Sequence, residues 1–131
     1  MKYRVVFEKR TERYYIKNFS RKYKGAWDKT LRGLYLEFTF PYLLFQKSIG
    51  EEIATSIDGT IKICKTEFKI LGTEMSRHTS GNRCIIAIHE KEKEVRVLLV
   101  YHKSDIVKNG NETITWKRVI SENFSEYTDL L

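Results

Sequence analysis

The sequence has few of the residues that cross-link a folded chain or interrupt its helices and strands. Its 131 residues include two cysteines, one proline and seven glycines. Cys64 and Cys84 stand in apolar stretches with no Cys-x-x-Cys motif and no histidine at metal-ligand spacing, which excludes a disulfide framework and predicts no metal site. No apolar run has the length of a membrane-spanning helix, and the first residues lack the apolar run of a secretory signal. These absences predict one cytoplasmic domain, residues 1–131, with no membrane partner.

Positive charge is concentrated at the start of the chain. Lysine and arginine outnumber aspartate and glutamate by 24 to 17, and residues 1–32 hold eleven basic against three acidic side chains. A basic segment that also carries a folding pattern indicates a surface for an anionic partner, most often nucleic acid. The other interpretation is a solvated basic helix without a partner.

The first half of the chain carries a helical pattern after one short strand. Residues 3–7 are β-branched and aromatic, which predicts a strand. Apolar residues then recur at every fourth position, which predicts an amphipathic helix or two helices divided near Gly25; they are Tyr15, Phe19, Tyr23, Trp27 and Leu31. A further apolar stretch, 34–45, contains Pro41, which should end or kink any helix there.

The pattern of residues 60–71 predicts a strand in which the apolar residues shift from odd-numbered to even-numbered positions. Ile61 and Ile63 share one parity and Phe68 has the other. Since side chains alternate between the two faces of a sheet, this change favours a bulge or a break between Cys64 and Phe68.

The clearest strands are residues 83–89 and 95–101, joined by a short charged connection that makes them a hairpin. Centring the turn on that connection places Arg83 opposite Tyr101 or His102. One end of the hairpin therefore gathers a guanidinium, a phenol and an imidazole, which suits the binding of a phosphate.

A helix follows, capped by Asn111 or Thr113. Its apolar stripe consists of Trp116, Val119, Ile120, Phe124 and Tyr127. The predicted order of elements is β-α-α-β-β-β-α, an α+β fold.

Two segments resemble the RelE/ParE superfamily of bacterial toxins. Gly81-Asn82-Arg83 opens an aliphatic strand, as the Gly-x-Arg arrangement does in that family, and the strand at 95–101 leads into a Tyr-His-Lys cluster. The resemblance covers residues 60–106 best. It implies a small twisted antiparallel sheet with N-terminal helices packed on one side and a C-terminal helix. The chain is longer than a typical member between residues 34 and 60.

The resemblance implies two alternative activities. The RelE branch consists of endoribonucleases that cleave mRNA, usually on the ribosome, without metal or cofactor, and so inhibit translation. The ParE branch inhibits DNA gyrase by binding it, without nuclease chemistry. Both branches imply a cognate antitoxin and commonly a toxin–antitoxin heterotetramer. A basic RNA-binding module without catalysis is a third interpretation, drawn from the charge alone.

Metal-independent RNA cleavage needs a base, an acid and cations around the transferred phosphate. Arg83 matches the arginine of the family and is the predicted phosphate clamp. His102 is the preferred acid or base, because imidazole titrates near neutral pH. The other catalytic candidates are Lys69 for charge, Tyr101 or Lys103 for the leaving group, and Glu67 as a base. The predicted RNA-binding residues are Lys65, Arg13, Lys17, Arg21, Lys22, Lys24 and Arg77.

Overall fold

A five-stranded sheet forms the centre of the computed structural model, which describes residues 1–11, 16–106 and 111–131. The order across the sheet is β1-β5-β4-β3-β2. The strands are β1 (Arg4–Phe7), β2 (Gly50–Thr55), β3 (Ile61–Phe68), β4 (Asn82–His89) and β5 (Glu94–His102).

The helices begin and end close to the glycine and proline that the sequence marks. Gly25, with φ of +77°, precedes the longest helix, and Pro41 separates that helix from the next. Asn111 caps the last α-helix, where its Oδ1 accepts hydrogen bonds from the backbone N–H groups of Thr113 and Ile114. The α-helices are α1 (Lys9–Thr11), α2 (Lys17–Lys22), α3 (Ala26–Thr39), α4 (Tyr42–Gln46), α5 (Lys103–Ile106) and α6 (Glu112–Asn123), followed by a 3₁₀ helix (Ser125–Leu130). None of the helices within the described ranges is long and apolar enough to cross a membrane.

The predicted α+β fold is confirmed, with two additions. Strands β2 to β5 are antiparallel, but β1 pairs parallel to β5. Strand β2 was not expected, because Glu51 and Glu52 interrupt any apolar alternation there; it forms an edge of the sheet, and both carboxylates are exposed. Edge strands commonly carry charge, which hides them from a search for apolar patterns.

Helices cover both faces of the sheet. On the first face, α2 and α3 pack Phe19 and Trp27 against Phe68. On the second face, α6 and the 3₁₀ helix bury Trp116 and Tyr127 completely. The central strand β4 is buried along its whole length for this reason.

The expected bulge in β3 is wrong. Strand β3 pairs with β4 without interruption from residue 61 to residue 68. Ile63 packs in the core under α6, whereas Cys64 and Phe68 pack in the core under α3, so the change of parity reflects a strand buried on both faces. The register shifts lie elsewhere, between Glu52 and Ala54 in β2 and at Leu98 in β5.

A buried histidine makes the stability of the fold depend on pH. His89 is 5% exposed, and its Nε2 lies 2.8 Å from Tyr127 Oη. Burial and the nearby Arg96 guanidinium lower the pKa of His89 from its ordinary 6.5, so the folded protein favours the neutral ring. Below pH 6.5 the unfolded chain therefore binds more protons than the folded chain, and stability falls with pH until His89 is protonated in both states.

We expect that lowering the pH from 7.5 to 5.5 reduces the free energy of unfolding less in His89→Gln than in the native chain, as measured by urea denaturation. An equal fall in both proteins would contradict this.

Candidate active site

Glu67, Arg83 and Tyr101 form one row across three adjacent strands. Glu67 in β3 lies directly opposite Arg83 in β4, which lies opposite Tyr101 in β5. Opposed residues of antiparallel strands share a face of the sheet, and here it is the face covered by α6. The hairpin register thus brings Arg83 and Tyr101 together as the sequence predicts.

The Arg83 side chain is 9% exposed and stands between two carboxylates. Its Nη2 is 3.9 Å from Glu67 Oε1, and its Nε is 3.7 Å from Glu112 Oε2. Both distances suit ion pairs but are too long for hydrogen bonds. Nη1 donates to the carbonyl of Asn82 at 3.2 Å, whereas the buried Nε has no hydrogen-bond partner. The guanidinium therefore has donor capacity that this environment leaves unused.

Glu112, in the first turn of α6, is the member of this cluster that the sequence does not reveal. Tyr101 Oη donates a 2.8 Å hydrogen bond to Glu112 Oε2. Burial and this carboxylate raise the pKa of Tyr101 well above its ordinary value, so the phenol stays protonated and acts as a donor. No local pattern indicates the contact, because it depends on how α6 packs on the sheet.

His102 lies on the opposite face of the sheet from Arg83. It pairs with Asn82 across the hairpin, one position from the row. Its Nε2 is 3.1 Å from the Ser80 carbonyl, and its Nδ1 is 3.1 Å from the Ser104 backbone nitrogen, which donates to it. Both ring nitrogens of His102 therefore have hydrogen-bond partners within the protein.

The His102 ring lies so close to Gly81 that it leaves no room for a side chain there. The φ of Gly81 is +80°, and a Cβ there would lie 2.5 Å from His102 Nε2. Gly59 has a similar φ of +75° but open space around it, so an alanine at that position reports the backbone cost alone.

We expect Gly59→Ala to lower the free energy of unfolding by about 1–2 kcal/mol. Gly81→Ala should lower it by roughly 1–3 kcal/mol more, since the histidine must move. Equal losses in thermal or urea unfolding would show that His102 is free to shift.

Glu67 also contacts a histidine from the loop between β3 and β4. Its Oε2 is 3.1 Å from His78 Nδ1. The neighbouring Arg77 donates two hydrogen bonds to the Glu37 carboxylate, at 2.7 and 2.8 Å, which raise the pKa of Arg77. A cleft opens beside Glu67 at this point, lined by Ser48, Ile49, Gly50, Glu51, Lys65, Glu67, Arg77 and His78.

The remaining predicted residues fall into separate groups. Lys65 and Arg77 line the cleft with Glu67, whereas Lys69 borders a groove against α3 and Lys103 is exposed at the start of α5. A basic surface on and after α2 is exposed on the other side of the sheet; it consists of Lys17, Arg21, Lys22 and Lys24. Arg13 lies outside the described residues. In the described part of the chain, no group of three or more His, Cys, Asp or Glu side chains could hold a metal ion.

Comparison with known proteins finds a structural relative but no relative by sequence. No family model matches the chain, and no curated protein matches it. A chain in the crystal structure of the archaeal RelE–RelB complex from Pyrococcus horikoshii OT3 superposes with a TM-score of 0.51 at 16% identity. The match covers 78% of this chain and 96% of that chain.

The fold is RelE-like. Nearly the whole of the archaeal chain is matched, so the shared part is a complete fold and not one hairpin. The sequence resemblance over residues 60–106 predicts the same fold. At 16% identity the likeness is one of fold, and the activity of the RelE-like chain has to be argued from its site.

Proposed function

We propose that this protein is the toxin of a toxin–antitoxin system and cleaves mRNA on the ribosome without a metal ion. The proposal is carried by the row of Glu67, Arg83 and Tyr101 within a RelE-like fold, where Arg83 Nη2 lies 3.9 Å from Glu67 Oε1, too far for a hydrogen bond. The row combines a carboxylate, a guanidinium and a protonated phenol. The carboxylate and the guanidinium are the groups that base catalysis and charge stabilisation require.

The reaction forms a bond from the ribose 2′-oxygen to phosphorus and breaks the bond from phosphorus to the 5′-oxygen. Glu67 accepts the 2′-hydroxyl proton. Arg83 and Lys65 offset the negative charge that develops on the phosphate oxygens. Tyr101 donates its one hydroxyl hydrogen to Glu112 and so holds that carboxylate beside Arg83. The products are a 2′,3′-cyclic phosphate and a 5′-hydroxyl.

RNA approaches this row from the cleft beside Glu67. The Glu67 side chain is 25% exposed against 9% for Arg83, and α6 covers the Glu112 side of the row. Lys65 and Arg77 place positive charge in that approach, next to the carboxylates of Glu51 and Glu67. The basic surface on and after α2, on the other side of the sheet, suits the surrounding ribosomal RNA or a second part of the message.

The proposed protein partner is an acidic antitoxin, as a RelE–RelB complex has the matching fold. Leu36 and Leu43 on α3 and α4 are 69% and 44% exposed, and Tyr42 is 36% exposed beside them. Lys47 and Lys93 border the hollows next to Leu43. An apolar surface with a basic rim fits an amphipathic segment that carries acidic residues. A heterotetramer of two toxins and two antitoxins is the assembly that the resemblance implies.

Induced expression in a bacterial host tests the proposal, with growth and mRNA integrity followed in the same culture. We expect growth arrest with fragmented mRNA for the native chain, and neither effect for Arg83→Ala at equal soluble expression. Arrest with intact mRNA would favour a gyrase-type inhibitor. Soluble protein that causes no growth arrest would favour an RNA-binding module without catalysis. Co-expression of the acidic product of a neighbouring gene should relieve the arrest.

A further inference from the structure

Hydrogen bonds of Arg77 and Ser80 anchor the loop that carries His78. Ser80 Oγ shares its one hydrogen between the Phe68 and Arg77 carbonyls, at 2.5 and 2.9 Å. The Ser80 backbone N–H donates to the Ser76 carbonyl at 3.0 Å. Arg77 is tied to α3 through its paired hydrogen bonds. His78 thus stands between two anchored residues.

The loop presents His78 to Glu67 on the accessible side of the row. The imidazole is 88% exposed, and Nδ1 contacts Glu67 Oε2 at 3.1 Å. With Nδ1 directed at the carboxylate, Nε2 is accessible to an incoming group. The other charged residues around this cleft are Glu51, Lys65 and Arg77.

We propose that His78 is the general acid of the cleavage, an inference that rests on the proposed function. As the bond from phosphorus to the 5′-oxygen breaks, protonated His78 gives its Nε2 proton to that oxygen, while Glu67 holds the Nδ1–H group through Oε2. The 2′-hydroxyl proton goes to Oε1 of Glu67, the oxygen that faces Arg83. Solvent then reprotonates the exposed imidazole and removes the proton from Glu67, which restores the starting state.

His78 fits this role better than the histidine that the sequence favours. His102 lies on the opposite face of the sheet from Glu67 and Arg83, and both of its ring nitrogens have partners within the protein. His78 contacts the base of the reaction directly and has one nitrogen accessible. Its position in a polar loop, ten residues beyond Phe68, gives no sequence signal for this contact.

A sulfur leaving group tests the assignment, because a thiolate leaves without being protonated. A short mRNA would carry a single 5′-bridging phosphorothiolate at the cleavage site mapped with ordinary RNA on programmed ribosomes. We expect His78→Ala to slow cleavage of ordinary RNA about 100-fold, the contribution of a positioned acid. On the sulfur substrate, the cleavage rate of His78→Ala should lie within about tenfold of the native rate. Glu67→Gln should be slow on both substrates, since sulfur does not help the 2′-hydroxyl lose its proton.

Three results would overturn the assignment while leaving the nuclease in place. They are native rates for His78→Ala on ordinary RNA, an equal loss on both substrates, and a loss in His102→Ala that only the sulfur substrate restores. The exposure of His78 makes misfolding of its variant an unsuitable explanation, and a thermal unfolding curve checks this. Failure of the native chain to cleave either substrate would remove the proposed function and this inference together.

Discussion

Arg83→Ala should lower the rate of mRNA cleavage about 100-fold or more in a purified translation system. The guanidinium is the cation at the centre of the row, and its Nη2 lies 3.9 Å from Glu67 Oε1, on the side of the row next to the cleft. A pre-positioned donor that meets developing charge away from bulk water commonly contributes this much. The measurement is the single-turnover rate on ribosomes programmed with a defined mRNA.

Arg83→Lys separates charge from geometry at the same position. Lysine keeps the positive charge between Glu67 and Glu112 but cannot bind a phosphate with two parallel hydrogen bonds, so an intermediate loss is expected. Both variants need a thermal unfolding curve, because Arg83 lies close to two partly buried carboxylates. A folded Arg83→Ala protein that cleaves at the native rate would exclude this row as the active site.

Trp116→Ala should lower the free energy of unfolding by about 3 kcal/mol. Trp116 is fully buried on the second face of the sheet, in the same core as Ile85, Leu98 and Leu99. Truncation leaves a large cavity there. Its Nε1 has no hydrogen-bond partner, so no hydrogen bond is lost, and the expected loss lies at the lower end for a buried tryptophan.

Ile114→Ala is the matched control on the same helix. Ile114 is 67% exposed, and its variant should stay within about 0.5 kcal/mol of the native chain in urea unfolding. Similar small losses in both variants would mean that α6 is a loosely attached segment. In that case the contact of Glu112 with Tyr101 would not be a fixed part of the site.

The parts of the fold that local patterns determine could be predicted from the sequence. The hairpin register follows from two aliphatic runs and a charged turn, and it places Arg83 opposite Tyr101. Gly25 and Pro41 mark helix boundaries because their backbones disfavour a continuous helix. Strand β2 could not be predicted, since an edge strand with two exposed glutamates shows no apolar alternation.

The composition of the site depends on long-range packing and could be predicted only in part. Neighbouring residues of a strand face opposite sides of the sheet, which separates His102 from Tyr101 although they adjoin in the sequence. Glu112 and His78 reach the row from a helix and a loop whose docking leaves no periodic signal. The sequence predicts that Arg83 lies opposite Tyr101 or His102, and the pairing of β3 with β4 adds Glu67 to the row.

The nature of the RNA ends tests the central claim most directly. A defined mRNA on programmed ribosomes would be incubated with the purified native chain and with Arg83→Ala, and the fragments would be analysed for their terminal groups. Attack of the 2′-oxygen on phosphorus, without a metal-activated water, predicts 2′,3′-cyclic phosphate and 5′-hydroxyl ends for the native chain. Intact mRNA is expected for the variant. Intact mRNA with the native chain, or fragments that end in 5′-phosphate, would contradict the account.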